Sequence, residues 1–250
     1  MSHAVARRAD RPRLESVAEA EALNVARINA LFNRAPEIAA EIEACGHGVP
    51  RGPIACAVCA RKFRFPLIRS VLRIAEAEPG AHKWATIYLD TIPEGSLPDV
   101  CLNRARDGLR QRLRRSGFKG SILIGNIEAS WLANDRVWVL HAHLLAMRVS
   151  KGSWDPLEER LAETGRADPL DVDELNAPER QISYTFKYVT YHRPGKNSRS
   201  RRAQAYPLPP DRLAELACWW AQYSFDDFVF LYGARRRGDR VALEGQRASA

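Results

Sequence analysis

Apolar residues recur at helical spacing through the first third of the chain and at strand spacing through its middle. Ile28, Leu31 and Phe32 follow Ser16-Val-Ala-Glu19, a capping-box pattern, so a helix is expected to open at Ser16 and a second at Pro36. The Gly- and Pro-rich stretch between Cys45 and Cys56 breaks this pattern, and Leu67, Val71, Leu72 and Ala75 resume it until Pro79-Gly80. From residue 84 the character changes. Residues 84–90 are short, β-branched and aromatic, which predicts a strand. Residues 98–116 read as an arginine-studded helix. Two apolar runs, 121–131 and 136–147, flank the turn-like Asn134-Asp135 and predict an antiparallel hairpin. Helices are expected near 157–165, over 178–191 and from Asp211, the last burying Leu213, Leu216, Trp220 and Tyr223. A strand over 228–232 follows. Strands interrupted by helices predict an α+β fold, with a sheet domain over 80–232 between a helical region (1–79) and a basic tail (233–250).

At 250 residues, 46% of them hydrophobic, the chain can bury a substantial core and is not of disordered composition. Its formal net charge of +8 favours a polyanionic partner, and most of the positive charge is arginine, whose planar fork suits phosphate oxygens. Basic residues cluster in three places: 104–115, the loop after residue 192, and 235–240. The loop follows the tyrosine-rich segment 184–191 and has few acidic neighbours, so Arg193, Lys196, Arg199, Arg201 and Arg202 are candidate contacts to a DNA backbone. No apolar run is long enough to span a bilayer, and residues 1–16 lack a hydrophobic signal core, so a cytoplasmic location with reduced thiols is expected. Five cysteines fit metal binding or idle thiols better than a disulfide framework. Cys45, Cys56 and Cys59, with His47 two residues after the first, are candidate ligands of a structural zinc; the competing reading is three ordinary thiols. Cys101 and Cys218 read as small core residues.

His141 and His143 stand two apart in an apolar strand, so both imidazoles face the same way, a spacing suited to a divalent cation. Burying two polar rings side by side is costly without a shared partner. Glu128, in the preceding strand of the expected hairpin, can complete a two-histidine, one-carboxylate set, provided the register turns it to the same face. Tyr184, Lys187, Tyr188 and Tyr191 fall at i, i+3, i+4 and i+7, one face of the expected helix. The alternative for this stripe is an aromatic core face. A lysine beside a tyrosine favours the phenolate, which is scarce at neutral pH.

In this order, the ATIYLD-like strand, the His-Ala-His pair and the Tyr-x-x-Lys-Tyr segment resemble the HUH endonucleases, the rolling-circle replication initiators of plasmids and small phages and related transposases. The resemblance covers roughly residues 84–191. YTFKY looks most like the two-tyrosine branch, which includes phage gene A proteins. Ala142 departs from the bulkier residue usual between the histidines. The resemblance implies sequence-specific nicking of single-stranded DNA at a replication origin and strand transfer through a phosphotyrosine link. It implies magnesium or manganese at Glu128, His141 and His143, Tyr184 as first nucleophile, Tyr188 as second, and Lys187 at the scissile phosphate. A host helicase is the further partner it suggests. The alternatives carried alongside are an HUH-type transposase and a non-catalytic, zinc-containing DNA-binding protein.

Overall fold

The computed structural model describes residues 15–46, 54–163, 168–188, 191–192 and 206–244. Helix α1 (Val17–Leu31) opens on the expected capping box. The Ser16 hydroxyl accepts from the Glu19 amide, and the Glu19 carboxylate accepts from the Ser16 amide. Ala20, Asn24, Arg27 and Leu31 line its buried face, while Phe32 caps its end and is exposed. Helix α2 (Pro36–Glu43) starts on proline, whose missing N–H would be unpaired there in any case. Helix α3 (Ala57–Ala77) buries Leu67, Ile68, Val71 and Ala75.

Strand β1 (Lys83–Pro93) then leads through a helical turn into α4 (Leu102–Arg115), followed by the hairpin of β2 (Ile122–Leu132) and β3 (Val137–Met147). Next come α5 (Trp154–Ala162), β4 (Leu170–Glu174), α6 (Pro178–Thr185), β5 (Tyr191–His192) and β6 (Tyr206–Pro207). The described chain ends with α7 (Pro210–Trp220), α8 (Phe225–Phe228), β7 (Val229–Tyr232), β8 (Ala234–Arg237) and β9 (Arg240–Leu243). Five strands make one antiparallel sheet in the order β4-β1-β3-β2-β7. β3 sits at its centre and is buried on both faces, which explains its continuous apolar sequence.

The two faces are covered differently. Phe230 of β7 pairs with Gly125 of β2, and Arg110 of α4 stacks over the Phe230 ring, so α4 lies on the face that carries them. On the opposite face α6 rests against Trp84 and His143. Helix α3 packs on α6 and on the β8–β9 hairpin, whose Val241 amide and carbonyl both bond to Ser70. Among the described residues, no helix is long and apolar enough to cross a membrane.

Several expectations need correction. The helix over 178–191 stops at Thr185, with Phe186 as its C-cap, and Tyr191 lies in a strand paired to Pro207. The Thr185 hydroxyl folds back onto the Gln181 carbonyl, and Phe186 is buried, so the end is set by local bonding and packing that periodicity does not record. The basic stretch after residue 233 is a hairpin rather than a tail through Leu243, because Ala234, Val241 and Leu243 are buried between its arginines. Gly238 turns it with φ 61°. β4, an exposed acidic edge strand, gave too little apolar signal to be expected. Cys101 is exposed at the start of α4 and Cys218 half-buried, so neither belongs to the deep core. Tyr223 lies past the end of α7, half-buried, with its hydroxyl bonded to the Val100 carbonyl and the Leu102 amide. The helix expected near 157–165 begins three residues earlier.

Candidate functional site

The hairpin register decides the central geometry. Glu128 pairs directly with His141, and Asn126 with His143, so all four side chains rise from one face of β2 and β3. One Glu128 oxygen lies 3.1 Å from His141 Nε2 and 3.0 Å from His143 Nε2, and the two imidazole nitrogens are 3.2 Å apart. All three side chains are buried. Gly125 makes the close strand approach feasible, since a β-carbon there would fall 1.9 Å from the His143 carbonyl oxygen.

The remaining hydrogen bonds orient these rings. His141 Nδ1–H donates to the Val139 carbonyl at 3.1 Å, which turns Nε2 toward Glu128. His143 Nδ1 bonds to the Thr86 hydroxyl at 3.0 Å. Burial lowers His143 to about 4, only partly opposed by Glu128, so this ring is neutral near pH 7. Burial works against an ionised Glu128, but the charge of Lys187 and the bonds from both histidines outweigh it and hold the carboxyl well below the usual range. Its second oxygen, Oε2, is buried with no partner among the described residues. A carboxylate oxygen and two ring nitrogens converging at about 3 Å need a proton or a cation between them. Glu128, His141 and His143 therefore fit a metal ion, and their ligand atoms all lie within 4.8 Å of one another.

Tyr184 packs against one member of this group, His143. Its ring centroid is 5.1 Å from that of His143 and 5.8 Å from that of Trp84, and the residue is 37% exposed. Trp84 ties α6 down by stacking on His143 and donating its indole N–H to the Thr185 hydroxyl at 3.0 Å. Lys187 Nζ lies 2.8 Å from the Tyr184 ring centre. Trp84 was not among the residues singled out from sequence. Its role follows from the pairing of β1 with the strand of the histidines, which the sequence does not record.

Tyr188 is placed differently. Its ring packs edge-on against Trp220, Phe225 and Phe228, and burial raises its phenol far above the ordinary value. The shared helical face expected for Tyr184, Lys187, Tyr188 and Tyr191 does not form, because α6 ends before the last three. Trp131 and Trp138 are buried against each other.

A second group gathers at the start of α3. Cys45, Cys56 and Cys59 bring their sulfurs within 4.8 Å, with Cys45 and Cys59 at 3.2 Å. Asn24 of α1 locks the corner, donating to Cys56 Sγ and accepting from the Ala57 amide at 2.6 Å. Burial opposes a Cys56 thiolate, yet the Cys59 backbone amide and Asn24 lower it overall, whereas burial and the neighbouring sulfurs raise Cys59. His47, Arg193, Lys196, Arg199, Arg201 and Arg202 lie outside the described residues.

No family model, curated protein or solved structure matches this chain.

Proposed function

We propose that this protein is a divalent-cation-dependent, tyrosine-type nuclease of the HUH class that nicks and transfers single-stranded DNA, initiating rolling-circle replication of a plasmid or phage-like element. One observation carries the reading. A part-exposed tyrosine, with a lysine over its ring, packs against His143 of a buried two-histidine, one-carboxylate group on one sheet face. Magnesium or manganese held by Glu128, His141 and His143 would offset the charge of a phosphodiester during in-line displacement.

The chain's own groups account for the rest. Tyr184 Oη gives up its proton to water, attacks phosphorus and forms a phosphotyrosine bond. The bond from phosphorus to the 3′ oxygen of the preceding nucleotide breaks, and that oxygen leaves as a hydroxyl after taking up a proton. Nothing is oxidised or reduced, and the reverse attack rejoins the strand. Lys187 stabilises the phenolate and the phosphate charge electrostatically. Trp84 and Thr185 hold α6 so that the tyrosine stays above His143. Tyr188, half-buried and edge-on to three aromatic rings, serves packing, which makes this a one-tyrosine site. We assign the three-cysteine group a structural zinc, since soft thiolates prefer that ion and Asn24 supplies the supporting hydrogen bond.

The test is a covalent adduct between the full chain and single-stranded oligonucleotides in manganese, followed by peptide mapping. Attachment at Tyr184, lost in Tyr184→Phe, is the expected result. DNA binding with no adduct at any tyrosine would leave the non-catalytic zinc-containing DNA-binding protein as the better reading.

A further inference from the structure

Asn126 is the fourth side chain of the two-by-two block that Glu128, His141 and His143 begin. It lies directly opposite His143 and two residues before Glu128, on the same face of β2. Along β2 its same-face neighbours are Ile124 and Glu128, and across the sheet on its other side lies Val229 of β7. Within this block its polar neighbours are thus the ligating residues. Asn126 is 1% exposed, and neither its amide nitrogen nor its carbonyl oxygen has a hydrogen-bond partner among the described residues. A central strand position of this kind suits Val or Ile, and an unpaired buried amide lowers stability. Both halves of an asparagine left unpaired beside a ligand cluster point to a group that acts only when that cluster is loaded.

We infer that Asn126 is a fourth member of the cation site, presenting its carbonyl oxygen to the ion held by Glu128, His141 and His143. This rests on the cation reading of those three residues. Two imidazoles and a carboxylate alone match zinc as well as any ion, whereas magnesium and manganese favour additional oxygen donors. Asn126 supplies that oxygen and so biases the site toward hard cations.

The experiment measures manganese binding to the full chain by electron paramagnetic resonance and, separately, thermal unfolding in a chelator. Asn126→Ala and Asn126→Val are expected to weaken manganese by about tenfold or more, as loss of a supporting group at a metal site does. In the chelator, Asn126→Val is expected to unfold at a higher temperature than the parent, because an apolar β-branched side chain replaces an unpaired amide. Manganese affinity within twofold of the parent in both variants, with His141→Ala abolishing binding, would overturn the role of Asn126 and leave the three-ligand site standing. A lower unfolding temperature of Asn126→Val in the chelator would make the residue structural and overturn the inference too. A parent chain that binds no manganese would remove the cation reading itself, and this inference with it.

Discussion

The two candidate metal-ligand groups of this molecule are assembled in opposite ways. Glu128, His141 and His143 belong to one hairpin, and the ladder that pairs β2 with β3 sets their spacing. Cys45, Cys56 and Cys59 come from the end of α2 and the first turn of α3, brought together by helix docking and by Asn24 reaching from α1. The first group therefore inherits its geometry from backbone hydrogen bonds in the middle of a five-stranded sheet. The second depends on side-chain contacts at the edge of a helical cluster. Their donor atoms differ accordingly: nitrogen and oxygen in the hairpin, sulfur at the helix ends. A strand-borne site should keep its shape with or without an ion, while the thiol group should need its ion to hold the helices in place.

The sharpest break of this comparison is at the histidines. His141→Ala or His143→Ala is expected to reduce oligonucleotide nicking to background while circular dichroism and the unfolding temperature change little, because the sheet does not rely on the ion. Glu128→Ala should be impaired but less completely, since two imidazoles remain. Nicking that persists in the double histidine variant would detach the hairpin group from catalysis.

Next in size is the pair of tyrosines. Tyr184→Phe should lose the covalent adduct with its ring packing intact. Tyr188→Phe should retain the adduct, and its stability should shift by no more than about 1 kcal/mol, the scale of one hydroxyl interaction. Equal loss in both, read by gel mobility of the adduct, would restore the two-tyrosine arrangement that the shortened α6 argues against.

Cys56→Ser with Cys59→Ser tests the other side of the comparison. Elemental analysis should find about one zinc per chain in the parent and none in the variant. The variant should be destabilised by several kcal/mol, roughly the scale of losing a structural metal, yet it should still bind manganese at the hairpin. Loss of both metals together would mean that the two regions are one cooperative unit.

The smallest effect concerns pH in the absence of metal. His143 is held neutral to about 4, whereas an unfolded histidine titrates near 6.5. As pH falls through 6.5 the unfolded chain takes up the proton first, so stability should decline between about pH 6.5 and 4, by on the order of 2–3 kcal/mol. Ionised Glu128 adds a further loss at still lower pH, because its folded carboxyl is depressed. Chemical denaturation at pH 7 and pH 5 measures the slope, and His143→Gln should flatten it.

Where a feature repeated with a fixed period, the sequence was enough. The two apolar runs over 121–131 and 136–147 located β2 and β3 to within a residue or two, and the Ser16–Glu19 capping box located the start of α1. His141 and His143 were bound to share a face because the period of a strand is two. Whether Glu128 joined them was undetermined, since a slip of one residue in pairing would have turned it away. Tertiary structure resolved it by opposing Glu128 to His141. It also ended α6 at Thr185, sent Tyr188 into an aromatic cluster and left Tyr184 above His143, none of which helical spacing could separate. The roles of Trp84 and the unpaired amide of Asn126 were equally hidden, as each depends on what lies across the sheet. Local periodicity acts on neighbours in the chain and so can be read from it. Register, helix ends and the company of a buried polar group are decided by contacts between distant segments, which exist only once the chain has folded.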